Sequence, residues 1–387
     1  MLEPEAVEMV FACGPGMCDM DTATVKEEGV SIFAGGAEGM VKVFDPKDLS
    51  NSIRELNLDV DDEGDEGLAV TAVAVSPDGQ ELAVGLRNGS VNLYELPSLD
   101  FKSILTRFTA RVLGLSYGMN GAVIAACGEE PGIRLIRRSS PMSGVLTLDD
   151  HNGGVKSVAW DPKGEFLAAA GFDGMIIVWK IDPSLDELPT DVVSTASYFD
   201  KEAVGGDGAE DFGSLGKVAW HPEGKSLCVT GAADPLILLR DTWERSLFVR
   251  ESNEHGGHDK DITIAAFSPD GRHVATAARD GRVVVWNVED KQAVSMYVNT
   301  EQDTWRHVQW LDVSSLVALS TGGSLCRLQN ACPAGTTPKE GDKTSTKGSN
   351  EGGGAHNKEA SAGQRDGGTS KRAGESSKHL FDEEAAE

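Results

Sequence analysis

A ten-residue block that alternates apolar with small or polar positions recurs along the chain. The block occupies Val70–Gly79, Val112–Gly121, Val155–Gly164, Leu215–Gly224 and Ile262–Gly271, and a weaker sixth copy spans Trp305–Ser314. About five alternating residues followed by turn chemistry of the Pro-Asp-Gly type predict a half-buried β-strand that leads into a hairpin. The pattern therefore predicts an all-β protein.

A second short β run follows each clear copy of the block. These runs begin at Gly89, Gly132, Gly174, Pro235 and Gly281, while Gly39 and Gly322 begin a first and a seventh run. Successive runs are 42 to 61 residues apart when the last run is counted from Gly323. A period of about 40 to 45 residues with several short strands per unit is typical of WD-type propeller blades. Residues 1–332 are therefore predicted to form a seven-bladed WD-repeat β-propeller.

The two longest periods and the start of the chain add detail to this ring. Acidic insertions are predicted near residues 57–67 and 182–213, where we expect surface loops. The last unit contains only three of the four strands of a blade, and an apolar run at Val7–Ala12 precedes the first unit. We predict that this run pairs as the outer strand of the last blade, because an unpaired strand edge is a liability.

The composition changes abruptly near Pro333. Residues 333–387 contain one aromatic side chain, Phe381, among many Gly, Ser and charged residues. Such a segment buries too little apolar surface to offset the entropy of ordering, so we predict a disordered tail. Its eight Lys and Arg nearly balance its ten acidic residues, so the formal net charge of -27 belongs almost entirely to the propeller. This acidity disfavours strong DNA binding by the propeller.

The amino terminus and the cysteines are typical of an intracellular protein. Three Glu residues among the first eight positions stand where a signal peptide carries positive charge, and no window approaches the 18 or so apolar residues of a membrane helix. The six cysteines form no CxxC pair and are too sparse for a disulfide framework. We expect a soluble intracellular protein with reduced thiols.

Two histidines lie at the same offset before the turn of their block, which indicates a shared structural role. With nearby Asp, Thr and Trp residues they are similar to the WD-repeat network, in which a His donates to a turn Asp and a hydroxyl links the His to a Trp indole. The members are His151, Asp173 and Trp179 in one blade and His258, Thr276, Asp280 and Trp286 in another. The first blade has Ala169 and Ala170 where the hydroxyl is expected, so its network is predicted to be incomplete.

The top face of the propeller is the expected binding surface. Arg87, Phe172 and Arg279 each precede the turn Asp or its equivalent, which makes them candidates for binding an acidic or amphipathic peptide. The alternative is that Phe172 only packs within its turn. Ala219–Ser226 loosely matches a phosphate loop, but its turn precedes a predicted strand rather than a helix. No catalytic triad or carboxylate pair stands out, so no enzymatic activity, cofactor or metal is predicted.

A family resemblance rests on segments of the propeller and of the tail. These are Ile104–Thr109, His151–Trp179, Phe267–Glu289 and the acidic segment Leu380–Glu383. They resemble the WD-repeat and HMG-box DNA-binding proteins, replisome adaptors known in yeast as chromosome transmission fidelity proteins. His151–Trp179 and Phe267–Glu289 are shared with WD repeats in general, whereas Ile104–Thr109 is more discriminating.

The resemblance implies a nuclear, non-enzymatic scaffold that couples the replicative helicase to DNA polymerase alpha and supports sister-chromatid cohesion. The family continues into a second propeller that trimerises, so we expect this chain, which ends at Glu387, to be monomeric. Two other classes stay open. A generic WD-repeat adaptor, such as a ubiquitin-ligase substrate receptor, would commonly carry a Trp-Asp-x-Arg element, and a propeller hydrolase would need carboxylates or His residues converging on the channel.

Overall fold

The computed structural model describes ten segments of the chain. They are residues 5–11, 17–26, 29–58, 68–139, 145–181, 192–197, 216–231, 235–247, 257–299 and 303–332. Most of the two predicted insertions and all of residues 333–387 lie outside the described residues. The loop character of the insertions, the disordered tail, the domain division after residue 332 and the monomeric state therefore stay predictions.

The described strands form seven four-stranded antiparallel sheets, which are the predicted blades. Blade 1 consists of β2 (Met17–Val25), β3 (Gly29–Gly36), β4 (Met40–Phe44) and β5 (Arg54–Asn57). Blade 2 consists of β6 (Val70–Val75), β7 (Glu81–Leu86), β8 (Ser90–Glu95) and β9 (Asp100–Arg107). Blade 3 consists of β10 (Val112–Gly118), β11 (Val123–Gly128), β12 (Ile133–Arg137) and β13 (Leu146–Leu148), with a single 3-10 turn at Met119–Gly121.

The second half of the ring repeats this order. Blade 4 consists of β14 (Val155–Trp160), β15 (Phe166–Gly171), β16 (Met175–Lys180) and β17 (Val192–Ser197). Blade 5 consists of β18 (Val218–Trp220), β19 (Ser226–Val229), β20 (Leu236–Leu239) and β21 (Arg245–Leu247). Blade 6 consists of β22 (Ile262–Phe267), β23 (His273–Ala278), β24 (Arg282–Asn287) and β25 (Ala293–Val298). Blade 7 combines β26 (Trp305–Trp310), β27 (Leu316–Ser320) and β28 (Ser324–Gln329) with β1 (Glu5–Phe11).

The two ends of the propeller meet in blade 7, as the sequence predicted. Strand β1 pairs antiparallel with β28, in a register that runs from Glu5 opposite Gln329 to Phe11 opposite Ser324. The innermost strands of neighbouring blades contact one another around the ring, and β26 contacts β2. The ring is therefore closed both by strand pairing and by packing, which covers the edge that β28 would otherwise expose.

The turn that ends each clear copy of the block requires glycine. Gly79 has a φ of 64°, and its N–H donates to the Ser76 carbonyl over 2.8 Å. A Cβ atom at this position would lie 2.2 Å from the carbonyl oxygen of Thr24. The equivalent Gly164, Gly224 and Gly271 have φ values of 70° to 71°. The turn at Gly224 connects two strands, so the loose phosphate-loop match there lacks the helix that such a loop needs.

The core is divided among the contacts between blades rather than gathered at one centre. Seven clusters of buried apolar residues occupy the seven interfaces between adjacent blades. One cluster joins Met20 and Ile32 of blade 1 to Val317 and Leu319 of blade 7. Each blade therefore buries both of its faces against its neighbours, which explains why its strands are largely apolar rather than strictly alternating.

One part of the second predicted insertion differs from the expected loop. Val192–Ser197 forms β17, which pairs with β16 from Met175 opposite Ser197 to Trp179 opposite Val192. The segment reads Val-Val-Ser-Thr-Ala-Ser, and its β-branched residues favour an extended strand once β16 offers an edge to pair with. Among the described residues, no helix is both long enough and apolar enough to cross a membrane.

Candidate functional site

A β-bulge near the start of the innermost strand of several blades directs a side chain toward the end of the channel. The pairing registers skip Thr71 in blade 2, Lys156 in blade 4, Thr263 in blade 6 and Arg306 in blade 7. Leu113 is the corresponding residue of blade 3. A bulge leaves one extra residue out of the ladder and changes the direction of its side chain. All five residues line one cavity at the end of the channel where the innermost strands begin.

We call this cavity the mouth pocket, and its lining is strongly basic. Its volume is about 320 Å³. The cations of the lining are Arg111, Lys156, Lys217, Arg279 and Arg306, and the half-exposed ring of Phe172 lies beside them. Among the described residues, no Asp or Glu lines the pocket. The lining of this pocket is thus opposite in sign to the net charge of the chain, which is -27.

The three predicted binding residues do not share one environment. Phe172 and Arg279 both line the mouth pocket, and Phe172 retains 49% of its accessible surface. Arg87 is also exposed but does not line the pocket. The sequence reasoning missed Lys156 and Arg306, although both stand at the second position of their blocks, where the bulge occurs.

The cations of the pocket affect one another. Burial and, after it, the neighbouring charges of Arg279, Arg306 and Lys217 together lower the pKa of Lys156 to about 8, while Asp261 opposes them. Among the described residues, no acidic group lies within ion-pair distance of the Arg279 guanidinium, whereas Arg111 pairs with Glu129 at 2.5 Å. The pocket therefore presents excess positive charge to whatever enters it.

A charged contact across the channel joins Lys217, which lines the mouth pocket, to residues that line a second cavity. Lys217 Nζ lies 2.5 Å from Asp19 Oδ1, and His307 Nε2 lies 3.2 Å from the same oxygen. Burial alone would raise the pKa of Asp19, but Lys217 and His307 hold it well below its usual range. The second oxygen of Asp19 accepts a hydrogen bond from the Val73 N–H at 3.0 Å, which ties blade 1 to blade 2.

This second cavity has a volume of about 400 Å³ and shares Lys217 with the mouth pocket. It is lined mainly by residues of the innermost strands, and it contains one further carboxylate, Asp21. Burial raises the pKa of Asp21 to about 6, although its oxygens accept hydrogen bonds from the N–H groups of Val75 and Thr22. Among the described residues, no group of three or more His, Cys, Asp or Glu side chains could hold a metal ion.

The predicted network residues of blade 6 come together. His258 Nδ1 lies 3.1 Å from Asp280 Oδ2, and its Nε2 lies 2.7 Å from the Thr276 hydroxyl. The Trp286 indole N–H donates to the same hydroxyl over 2.8 Å. Asp280 also accepts from the backbone N–H of Arg282, so this chain of hydrogen bonds links a turn to the buried Trp.

Blade 4 has a different arrangement around its histidine. His151 Nδ1 lies 3.0 Å from Asp173 Oδ2, but its buried Nε2 has no hydrogen-bond partner among the described residues. The Trp179 indole N–H donates instead to Asp150 Oδ2 at 2.7 Å. Ala169 stands where Thr276 stands in blade 6, so no hydroxyl is available to join the His to the Trp. Sequence reasoning did not identify Asp150 as the substitute acceptor.

Comparison with known proteins agrees with this architecture. The chain is 25% identical over 308 residues to WD repeat and HMG-box DNA-binding protein 1 of Mus musculus, an alignment that covers 79% of this chain and 25% of the relative. It is 22% identical to the Homo sapiens protein of the same name, over 80% of this chain and 26% of the relative. It is 21% identical to Minichromosome loss protein 1 of Schizosaccharomyces pombe, over 66% of this chain and 29% of the relative.

The chain thus spans about a quarter of the length of the curated relatives it matches. A family model described as the WDHD1 first WD40 domain matches residues 18–326, which include strands of all seven blades. With the closed seven-bladed ring and this match, the chain belongs to the family of the WDHD1 first WD40 domain.

Proposed function

We propose that this chain is a non-enzymatic protein-binding propeller of a chromatin and replication adaptor, and that its mouth pocket holds an acidic or amphipathic peptide segment of a partner. The observation that carries the proposal is the convergence of five cations and the exposed ring of Phe172 in one pocket. Arg and aromatic side chains dominate the energetics of protein interfaces, and Arg clusters recognise acidic motifs.

The physical properties of the propeller favour a protein over DNA as the partner. Duplex DNA would have to approach a molecule whose net charge is -27, and repulsion outside the pocket would oppose the attraction within it. A peptide can enter the mouth pocket, whose volume of about 320 Å³ suits a few side chains. The bulged residues come from rigid paired strands, so the site is largely formed before a ligand arrives.

The names of the relatives support a role on chromosomes. They describe a DNA-binding protein with WD repeats and an HMG box, and a protein of minichromosome loss. By extension, this chain acts in the nucleus, in DNA replication and sister-chromatid cohesion. Its partners would then belong to the replicative helicase and DNA polymerase alpha complexes.

The test is affinity purification of the full tagged chain from replicating cells. The wild type is compared with a Phe172→Ala, Arg279→Glu double variant, and Arg87→Glu serves as the control because Arg87 is exposed but does not line the pocket. We expect helicase and polymerase alpha subunits with the wild type and the control, and strongly reduced recovery with the double variant. Enrichment of an unrelated complex would favour a generic WD-repeat adaptor, and unchanged recovery with the double variant would exclude the pocket as the binding site.

A further inference from the structure

We propose that Lys156 is a modification site, at which an acyl phosphate or a coenzyme A thioester transfers a small acyl group to the side-chain amine. A β-bulge displaces Lys156 from the ladder between β14 and β15, and its side chain lines the mouth pocket. Lys156 is partly buried there, and the cavity of about 320 Å³ leaves room beside it for a small reagent. Closure of the ring thus places one lysine among cations of other blades, at a position that a reagent can reach.

The surroundings of this amine favour its neutral form. Partial burial penalises the ammonium form, and the like charges of Arg279, Arg306 and Lys217 penalise it further. Asp261 acts in the opposite direction, and the balance of these effects lowers the pKa of Lys156 to about 8. An ordinary lysine titrates at about 10.4. Desolvation and a neighbouring cation are the two means by which proteins activate a lysine as a nucleophile, and Lys156 has both.

The proposed step conserves atoms and electrons without an oxidant or a reductant. The lone pair of the neutral Lys156 Nζ attacks the acyl carbonyl carbon, and a C–N bond forms. The C–O bond of the acyl phosphate, or the C–S bond of the thioester, then breaks, and the leaving phosphate or thiolate keeps the bonding electrons. The nitrogen releases its additional proton to water. The product is an N-acyl lysine, which carries no charge.

The cations of the pocket favour this reaction at each stage. Before attack, Arg279 and Arg306 favour the neutral amine. During attack, negative charge develops on the carbonyl oxygen, and cationic groups near that oxygen stabilise it. Among the described residues, no Asp or Glu lines the pocket to oppose this effect. After the reaction, an uncharged amide stands where an ammonium group would repel its neighbours.

The lining of the pocket also selects the size of the acyl group. An acetyl group needs little space, and it adds few apolar atoms beside Lys156. A longer acyl chain would have to lie against the charged groups of Arg111, Arg279 and Arg306, whose loss of contact with water is costly. The half-exposed ring of Phe172 covers only one side of the pocket. We therefore expect acetyl transfer to be faster than transfer of a long chain.

Acylation would act on the peptide site as well, and this consequence alone rests on the proposed function. The modified side chain lacks a positive charge and fills part of the cavity. An acidic peptide should therefore bind the acetylated protein more weakly than the unmodified protein.

The experiment treats the full chain with acetyl phosphate or acetyl-CoA at pH 7.5 and measures the initial rate at each lysine by peptide mapping with mass spectrometry. The exposed Lys163 and Lys180 of the same blade are the internal controls. At this pH the neutral fraction of an amine with a pKa of about 8 is roughly 200-fold that of an ordinary lysine, and its lower basicity removes roughly 10-fold of this advantage. We expect Lys156 to react at least about 10-fold faster than the controls. The donor that gives the larger excess is the source of the acyl group, and octanoyl-CoA should give a smaller excess than acetyl-CoA.

A pH profile and matched variants test the cause of this reactivity. The rate at Lys156 should rise with a midpoint near pH 8. Arg279→Gln removes a like charge, so the midpoint should move upward and the rate at pH 7.5 should fall by about 3-fold, whereas Arg87→Gln should change neither. Thermal melts check that both variants are folded. With both donors, a rate at Lys156 no higher than at Lys163 and Lys180 would overturn the proposal. Loss of peptide binding without a change in these rates would overturn only the peptide function.

Discussion

Lys217 Nζ lies 2.5 Å from Asp19 Oδ1, although the two residues are 198 positions apart in the chain. Lys217 directly precedes the innermost strand of blade 5, and Asp19 lies on the innermost strand of blade 1. The contact therefore spans the channel and connects blades that are not neighbours. Because Lys217 lines both cavities, the same side chain forms part of the mouth pocket and of the channel below it.

Removing the negative charge of this pair is expected to destabilise the ring. Asp19→Asn keeps an oxygen for the Val73 N–H but leaves Lys217 without its counter-charge in a largely buried position. We expect a loss of about 2 to 4 kcal/mol in the free energy of unfolding, measured by urea denaturation at pH 7. Lys217→Met is the matched variant. The double variant should lose less free energy of unfolding than the two single variants lose together. Simple additivity of the two losses would show that the pair is not coupled.

The buried carboxylate of Asp21 is expected to make the free energy of unfolding fall as the pH rises. Its pKa in the folded protein is about 6, whereas an unfolded Asp titrates near 3.9. Between these values the folded state binds more protons, so this group contributes a stability that is present at pH 4 and is lost as the pH rises through 6. The free energy of unfolding of Asp21→Asn is expected to rise by about 1 to 3 kcal/mol relative to that of the wild type between pH 4 and pH 7. Denaturation at several pH values checks this, and a constant difference would contradict it.

The two histidine networks permit a reciprocal test. Thr276→Ala removes the hydroxyl that joins His258 to Trp286 and so breaks two buried hydrogen bonds, which should lower the free energy of unfolding by about 2 to 4 kcal/mol. Ala169→Ser places a hydroxyl where His151 Nε2 lacks a hydrogen-bond partner among the described residues. This substitution should raise the free energy of unfolding by about 0.5 to 1 kcal/mol. Thermal denaturation of both variants measures the effects. Lower stability of Ala169→Ser than of the wild type would mean that blade 4 has no room for the added hydroxyl.

Strand β1 is expected to be essential for the closed ring. Deleting residues 1–12 exposes the edge of β28 and removes one strand of blade 7, so the melting temperature should fall sharply. Deleting residues 333–387 is the control, and we expect it to leave the melting temperature unchanged because that segment is predicted to be disordered. If the first deletion has no effect, β1 does not contribute to closure in solution.

Binding at the mouth pocket should weaken as the pH rises. Lys156 has a pKa of about 8 and loses its charge above that value, so affinity for an acidic peptide is expected to fall between pH 7 and pH 9. The charged groups that also face this amine are Arg279, Arg306, Lys217 and Asp261. Isothermal titration calorimetry should record proton uptake near pH 8. Lys156→Arg should remove the pH dependence, and its persistence would assign the effect to another group.

The sequence by itself determined the number of blades, their strand order and the closure of the ring by the amino-terminal strand. Those features depend on local chemistry. Alternation specifies which residues form a strand, and the turn glycine at positions such as Gly79 specifies where it ends. The sequence also indicated the His258 and Asp280 pair, because its members recur at fixed offsets within a repeat.

Only the tertiary structure decided which side chains meet at the channel. It placed Phe172 and Arg279 in the mouth pocket and Arg87 outside it, added Lys156 and Arg306, and supplied Asp150 as the acceptor for Trp179. The physical reason is that periodicity specifies the face of a strand that a residue occupies within its own blade. The distance between side chains of different blades depends on the closure of the ring and on the bulges that turn those side chains inward.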